Sequence, residues 1–265
     1  MDDDRFERAI AMLASGSIEG ALQEFNAMQE EAVDANEKSA LMLNEVMCHL
    51  QLGCVADAEG ILARIREVAP DDLTVRLNLD FVSACSAAQG GQQERALFQF
   101  ETLLEQNVAL LQTPDYRGFY EDIQFRRVFC FAQLGRYGDA FPILKEASSF
   151  STLEAADQQQ IHLYLGSCHA QRHENRLAKE QFLRAIDFGL ANDFEAEARY
   201  RVAVLYFVDR GFAQARHQLE SILMTHPQEI PSVPRRYIYQ QLSRTYHYLG
   251  EKENAERYMK LAESS

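Results

Sequence analysis

His169 and His173 stand four residues apart, a spacing that puts two imidazoles on one face of a helix. Such a pair can hold a metal ion when further ligands converge on it. Here no Glu lies between the two histidines, and Cys168 points elsewhere by helical geometry. The reading is a packing histidine, His169, followed by a helix-end histidine, His173, where positive charge suits the helix dipole. The five cysteines are Cys48, Cys54, Cys85, Cys130 and Cys168, an odd number with no CxxC pair. Cys85, Cys130 and Cys168 sit in apolar helical stretches, and the set reads as buried free thiols in a reducing compartment. The adjacent acids Glu30-Glu31, Asp71-Asp72 and Glu121-Asp122 fall near helix ends or loops. They read as solvated caps and dipole partners rather than a catalytic pair. There is no phosphate-cradling Gly loop, no G-x-S-x-G elbow and no zincin motif. The sequence therefore assigns no catalytic residue, no cofactor and no metal site, and the expectation is a protein that is not an enzyme.

Charge and composition narrow the classes further. The chain has 265 residues, 47% of them hydrophobic, and a net charge of −14. Residues 1–110 hold 20 acidic and 7 basic side chains, whereas residues 111–265 hold 20 and 19. Nucleic-acid binding needs a positive surface that displaces counterions from phosphates, so no nucleic-acid partner is expected. The acidity of the first part fits plain solubility, and equally fits attraction of a basic partner region. No apolar run reaches the ~18–20 residues of a membrane helix. The start, Met1-Asp2-Asp3-Asp4, is acidic where a secretory signal would be basic and then apolar. The expectation is a cytoplasmic protein with no membrane partner.

The elements that would position any site emerge when the chain is laid against itself. Seven alanines serve as anchors: Ala21, Ala58, Ala96, Ala140, Ala178, Ala215 and Ala255, spaced 37, 38, 44, 38, 37 and 40 residues apart. Four residues after each stands a large apolar residue: Phe25, Leu62, Phe100, Leu144, Phe182, Leu219 and Met259. Seven after each stands another apolar residue: Met28, Ile65, Leu103, Ala147, Ala185, Ile222 and Ala262. These offsets trace one buried stripe on a helix. Five before the anchors stand Gly16, Gly53, Gly91, Gly135, His173, Arg210 and Gly250, mostly the residue that ends a helix where φ turns positive. Twelve before stand small or slender residues: Ala9, Val46, Ala84, Val128, Gly166, Ala203 and Ser243. Each unit is thus helix, tight turn, helix, with the two helices antiparallel because the turn is short. Pro70 and Pro227 lie where second helices should end.

This pattern, from about Phe6 to Ala262, resembles the tetratricopeptide repeat (TPR) family. Ala58, Leu62 and Pro70 carry the likeness well, as do Leu165-Gly166 with Ala178, Phe182 and Ala185. The spacings exceed the family's period of about 34 residues, and the family's frequent Trp is absent. The resemblance implies an all-α, right-handed superhelical solenoid of about seven TPR-like antiparallel helix pairs, spanning 1–265 as one array. Two features interrupt it. Residues 113–120 carry turn residues and three aromatics and read as a longer loop, which would divide subarrays 1–112 and 121–265 if it acted as a hinge. The segment His226–Arg236, with Pro227, Pro231 and Pro234, reads as an extended link into the last pair.

In such solenoids the first helices line the concave face, so that face is where a partner is expected. Residues off the small packing position predict its lining. Phe125, Arg126, Phe129, Tyr164, Tyr200, Arg201, Phe207, Tyr237 and Arg244 are the candidate partner-binding residues in the later repeats. Aromatics and arginines give large contact at modest entropic cost, and Arg126, Arg201 and Arg244 can grip carboxylates bidentately. The early repeats offer an acidic and apolar face: Asp3, Phe6, Glu7, Ile10, Leu43, Asn44, Met47, Asn78 and Phe81. Only Asn44 matches the Lys/Asn/Arg clamp with which some family members hold a chaperone tail. The expected function is an adaptor or scaffold that binds another protein or peptide, with a basic region of the partner facing the acidic repeats. The alternatives are a peptide- or ligand-responsive sensor and a structural subunit of a larger assembly. For the last, apolar residues near the end (Leu242, Tyr246, Tyr258, Met259, Leu261) suggest self-association.

Overall fold

The computed structural model describes residues 3–14, 16–68, 73–147, 150, 155–226 and 232–265, and among them there is no strand. Seven helix–turn–helix pairs follow one another: α1 (Asp3–Ala14) with α2 (Ile18–Glu31), α3 (Ala35–Gln51) with α4 (Val55–Val68), and α5 (Leu73–Gln89) with α6 (Gln93–Gln106). A single turn, α7 (Val108–Leu111), precedes α8 (Arg117–Gln133) and α9 (Tyr137–Ala147). The last three pairs are α10 (Ala155–Gln171) with α11 (Asn175–Asp187), α12 (Asp193–Val208) with α13 (Phe212–Thr225), and α14 (Arg235–Tyr248) with α15 (Lys252–Glu263).

The seven turns share one backbone device. All seven residues five before the anchors lie at positive φ, from +60° at His173 to +83° at Gly16. An L side chain costs about 1–2 kcal/mol in that region, which explains five glycines and makes His173 and Arg210 exceptions to be accounted for. The residue after the turn then donates its N–H back to the carbonyl five residues earlier. Ser17 bonds Met12 at 2.9 Å, Cys54 bonds His49 at 2.8 Å, Glu174 bonds His169 at 2.9 Å and Gly211 bonds Tyr206 at 2.8 Å. This satisfies carbonyls that a helix end would otherwise leave unpaired. Each anchor alanine starts the ladder of the second helix, as Ala58 does to Cys54 and Ala178 to Glu174.

The small residue twelve before the anchor is what lets the helices approach. In the fifth pair a Cβ on Gly166 would lie 2.5 Å from the ring of Phe182, so only glycine fits against that phenylalanine. In the seventh pair Ser243 at the same position is buried, and its hydroxyl donates to the carbonyl of the anchor Ala255 at 2.8 Å. The anchors and the apolar residues four and seven after them are buried throughout, save Met259, which is exposed. Two first helices carry a side-chain cap: Asp34 accepts the N–H of Glu37, and Asn192 that of Glu195.

The chain divides into two compact units, residues 1–135 and 136–265, within the turn of the fourth pair. In the first unit α3 packs on α5 and α5 on α8; in the second α10 packs on α12 and α12 on α14. Within each unit, then, first helices stand side by side, each also touching the second helices of its neighbourhood.

Two sequence expectations need correction. Residues 113–120 are not a loop: Pro114–Tyr116 form a 3-10 turn, and α8 already begins at Arg117. Pro114 has the φ of a helix start, and Phe119 is drawn in by a tilted ring contact at 5.2 Å with Phe81 of α5. Cys54 is only half buried, because it follows a turn glycine rather than lying in a helix core. The other four thiols are buried, and that burial pushes them up to about 11 for Cys48 and Cys130 and about 12 for Cys85 and Cys168, as expected of inert structural cysteines. Pro70, Pro227 and Pro231 lie outside the described residues. No helix among the described residues is long and apolar enough to cross a membrane.

Candidate partner-binding surfaces

In the second unit, α12 and α14 bring four of the sequence-predicted residues together. The phenol of Tyr200 is raised chiefly by burial, and it feels the charges of Arg201 and Arg244 and the phenol of Tyr237. Arg201 is 48% exposed, and Tyr237 is 52% exposed. Arg244 is exposed as well. Arg201 is oriented by its own helix, donating from Nη2 to Glu197 Oε1 at 2.9 Å. Tyr137, at the start of α9, lies within reach of Arg201 and hydrogen-bonds Ser167 of α10; burial is the main cause of its raised phenol. The result is a tyrosine-rich surface carrying two guanidinium groups, suited to carboxylates flanked by apolar or aromatic side chains.

Phe207 belongs elsewhere. It packs edge-on to Phe212 at 5.3 Å and to Tyr248 at 5.4 Å, while Phe212 and Tyr248 stack at 4.9 Å. These rings gather over the turn end of the sixth and seventh pairs, with Val208 and Tyr248 exposed beside them. Tyr164 is 7% exposed and its hydroxyl accepts from Gln160 Nε2 at 2.7 Å, so its ring is packing, not open surface. The same holds for Phe125 in the first unit, 5% exposed. Both were expected on the open face, but neighbouring helices cover them. Phe129 is half buried. Arg126 remains partly exposed, 3.6 Å from Asp122 on its own helix.

In the first unit five of the nine residues expected on the early face line a groove, whereas Phe6 packs edge-on to Phe25 at 6.0 Å. Leu43, Asn44 and Met47 of α3 and Asn78 and Phe81 of α5 line a depression of about 320 Å³. Asn44 is held by donating to the Ala40 carbonyl at 2.9 Å. A polar cavity of about 250 Å³ between α4, α5 and α6 is not foreshadowed by the sequence. There Arg66 Nη2 and Gln99 Nε2 both donate to Ser83 Oγ, at 2.9 and 3.2 Å. Its residues come from three helices and share no spacing that a sequence could show.

His169 and His173 do not converge. His169 donates from Nδ1 to Glu174 Oε2 at 2.6 Å and meets the Phe141 ring edge-on, whereas His173 occupies the positive-φ turn and is exposed.

No family model matches the sequence, and no curated protein matches it. Solved structures do. A tetratricopeptide repeat protein from Parabacteroides merdae superposes with a TM-score of 0.55 at 17% identity, covering 99% of this chain and 92% of that one. RapI in its apo form gives 0.76 at 10% identity, covering 98% of this chain and 75% of that one. A signal-transduction ATPase with a tetratricopeptide repeat sensor, from Pyrococcus horikoshii, gives 0.71 at 14% identity, covering 98% of this chain and 41% of that one.

Proposed function

From a chain with the tetratricopeptide-repeat fold, we infer a protein-binding scaffold whose principal contact surface is the tyrosine–arginine face of α12 and α14. The observation that carries this reading is the convergence of Tyr200, Arg201, Tyr237 and Arg244. A partner segment with acidic residues beside an aromatic or aliphatic one fits this face. Bidentate Arg–carboxylate pairs would set its register and the tyrosines would supply contact area. The α3–α5 groove is a separate surface that accepts an apolar side chain. The surplus of acid in residues 1–110 would draw a basic flank of the partner to that half of the chain.

The likeness to a repeat array that serves as a sensor in a signal-transduction ATPase supports a second version. In it, occupancy of the face changes how the chain engages an effector. The two versions share the site and differ in its consequence.

The test uses the full chain as bait in lysate of its own source, beside Arg201→Glu with Arg244→Glu, and beside Met47→Glu in the α3–α5 groove. All should keep the helical circular dichroism of the parent. A partner retained by the parent and lost by the arginine variant places binding on the α12–α14 face. A partner that both the parent and the arginine variant retain overturns that assignment, and its loss in Met47→Glu would move the site to the first unit. Affinity that ignores salt would count against the charged part of the reading.

A further inference from the structure

The shared turn does more than end a helix: it brings three side chains to one place. They are the residues nine, four and one before each anchor alanine. In the third pair Arg95 donates to Gln92 at 2.8 Å; in the seventh Asn254 donates to Glu251 at 2.8 Å; and after the fourth turn Arg136 donates to Asp139 at 2.8 Å. In the fifth, His169 meets Glu174. Where one member is glycine the neighbourhood still shows. A Cβ on Gly20 would lie 3.0 Å from Ser17 Oγ and 3.7 Å from Met12 Sδ, and one on Gly211 would lie 3.1 Å from Gln214 Oε1 and 3.5 Å from Tyr206.

In the second pair the three positions hold His49, Cys54 and Asp57, and one ligand atom from each lies within 4.8 Å of the others. This is the single group of its kind among the described residues. Unlike the polar trios above, it is not closed by a hydrogen bond. His49 Nδ1 is buried without a hydrogen-bond partner, 4.0 Å from Asp57 Oδ2. On the far side of the ring, Nε2 lies 3.9 Å from Glu45 Oε1 one helical turn back. Glu45 is itself held by Gln29 Nε2 at 3.0 Å, a bond from α2. An imidazole nitrogen facing a thiol and a carboxylate, with a carboxylate behind its other nitrogen, is the arrangement by which proteins hold transition metals.

We propose that the turn between α3 and α4 binds one divalent transition-metal ion, zinc by preference, through His49 Nδ1, Cys54 Sγ and Asp57 Oδ2. One nitrogen, one sulfur and one oxygen donor make a borderline-soft set, which suits zinc over magnesium or calcium. Ligand atoms around tetrahedral zinc stand on the order of 3.5 Å apart, given metal–ligand bonds of about 2.0–2.3 Å. The trio therefore has to close by roughly 1 Å. Asp57 is 68% exposed and free to rotate inward, and Cys54 sits on the turn and not in a packed core. On binding, the Cys54 thiol loses its proton to solvent and the thiolate bonds the metal. Three protein ligands leave the fourth position to water. The ion ties the last turn of α3 to the first turn of α4, and Glu45 acts as a positioning residue that fixes the tautomer and plane of His49.

Metal-free full-length protein is titrated with Zn²⁺ against a chromophoric chelator, and separately with Co²⁺ by absorbance. The expected result is one ion per chain, with a thiolate-to-cobalt band in the near ultraviolet that Cys54→Ser abolishes. Cys54→Ser and His49→Ala should each weaken zinc by about a hundredfold, and Glu45→Gln by about tenfold, within the 10–100-fold range seen for outer-shell partners. Asp57→Asn, at an exposed first-turn position where the change costs the fold little, should weaken it as well. Zinc should also shield Cys54, the one half-buried thiol, from alkylation. Absence of zinc binding by the parent, a cobalt–thiolate band that survives Cys54→Ser, or unchanged affinity in Asp57→Asn would each overturn the proposal.

Discussion

The turn between α3 and α4 and the turn between α10 and α11 share a backbone and differ in how their side chains are satisfied. Both carry a residue at positive φ, Gly53 at +75° and His173 at +60°. Both close with a bond to the carbonyl of a histidine, from Cys54 to His49 and from Glu174 to His169. In the fifth pair the residue after the turn is a glutamate long enough to reach the imidazole, and Arg172 joins the same carboxylate at 3.2 Å. In the second pair the corresponding residue is a cysteine, a weak donor with a short side chain, and His49 Nδ1 stays without a hydrogen bond. The turn geometry decides which side chains meet. Their chemistry decides whether the meeting is a closed hydrogen-bonded pair or an open set of ligands.

The largest effect that would sharpen this comparison lies in the helix contact behind each turn. The second pair has Val46 and Leu62 at the positions where the fifth has Gly166 and Phe182. Gly166→Val drives two methyls into the Phe182 ring and should cost about 1–3 kcal/mol, read by urea unfolding. Adding Phe182→Leu, which installs the combination of the second pair, should recover more than half of that loss. Strict additivity of the two changes would mean that these residues do not set the spacing of the pair.

A smaller effect tests the backbone itself. If the turn demands positive φ wherever it occurs, His173→Gly should stabilise the chain by up to about 1 kcal/mol, and Gly53→Ala should destabilise it by about 1 kcal/mol. Thermal melts of the two variants would then move in opposite directions. A lowered melting temperature for His173→Gly would show that its imidazole supports the turn in a way the backbone argument omits.

The smallest effect concerns the closed His169–Glu174 pair. The hydrogen bond from His169 holds the Glu174 carboxyl below its ordinary value of 4.5, with Arg172 helping. A carboxyl depressed in the folded state stabilises fully above its unfolded value and loses that contribution as pH falls through the folded one. The Glu174 carboxylate's contribution, read as the stability gap between the parent and Glu174→Gln, should therefore shrink as pH falls below 4.5. Chemical denaturation at several pH values measures it. A gap that stays the same between pH 5 and the acid transition would mean that ionisation of Glu174 adds no stability.

Much of this fold was legible in the chain because its repeat is local. Spacing the anchors at Ala21 through Ala255 exposes which stripe of each second helix is apolar. A glycine five residues before an anchor marks a φ that other residues resist. Those constraints act within about twenty consecutive residues, so the sequence by itself determined the helix pairs, their turns and the buried stripes. The partner surface was legible only in part. Off-core positions on a first helix all look alike in sequence, yet α10 meets α9, α11 and α12, and α12 meets α10, α11, α13 and α14. Which off-core residues those neighbours cover is a property of packing. Tertiary structure alone buried Phe125 and Tyr164, set Phe207 among Phe212 and Tyr248, and left Tyr237, Arg201 and Arg244 open together. It alone also closed His49, Cys54 and Asp57 into one cluster, because residues five and eight positions apart converge only once the chain reverses at Gly53.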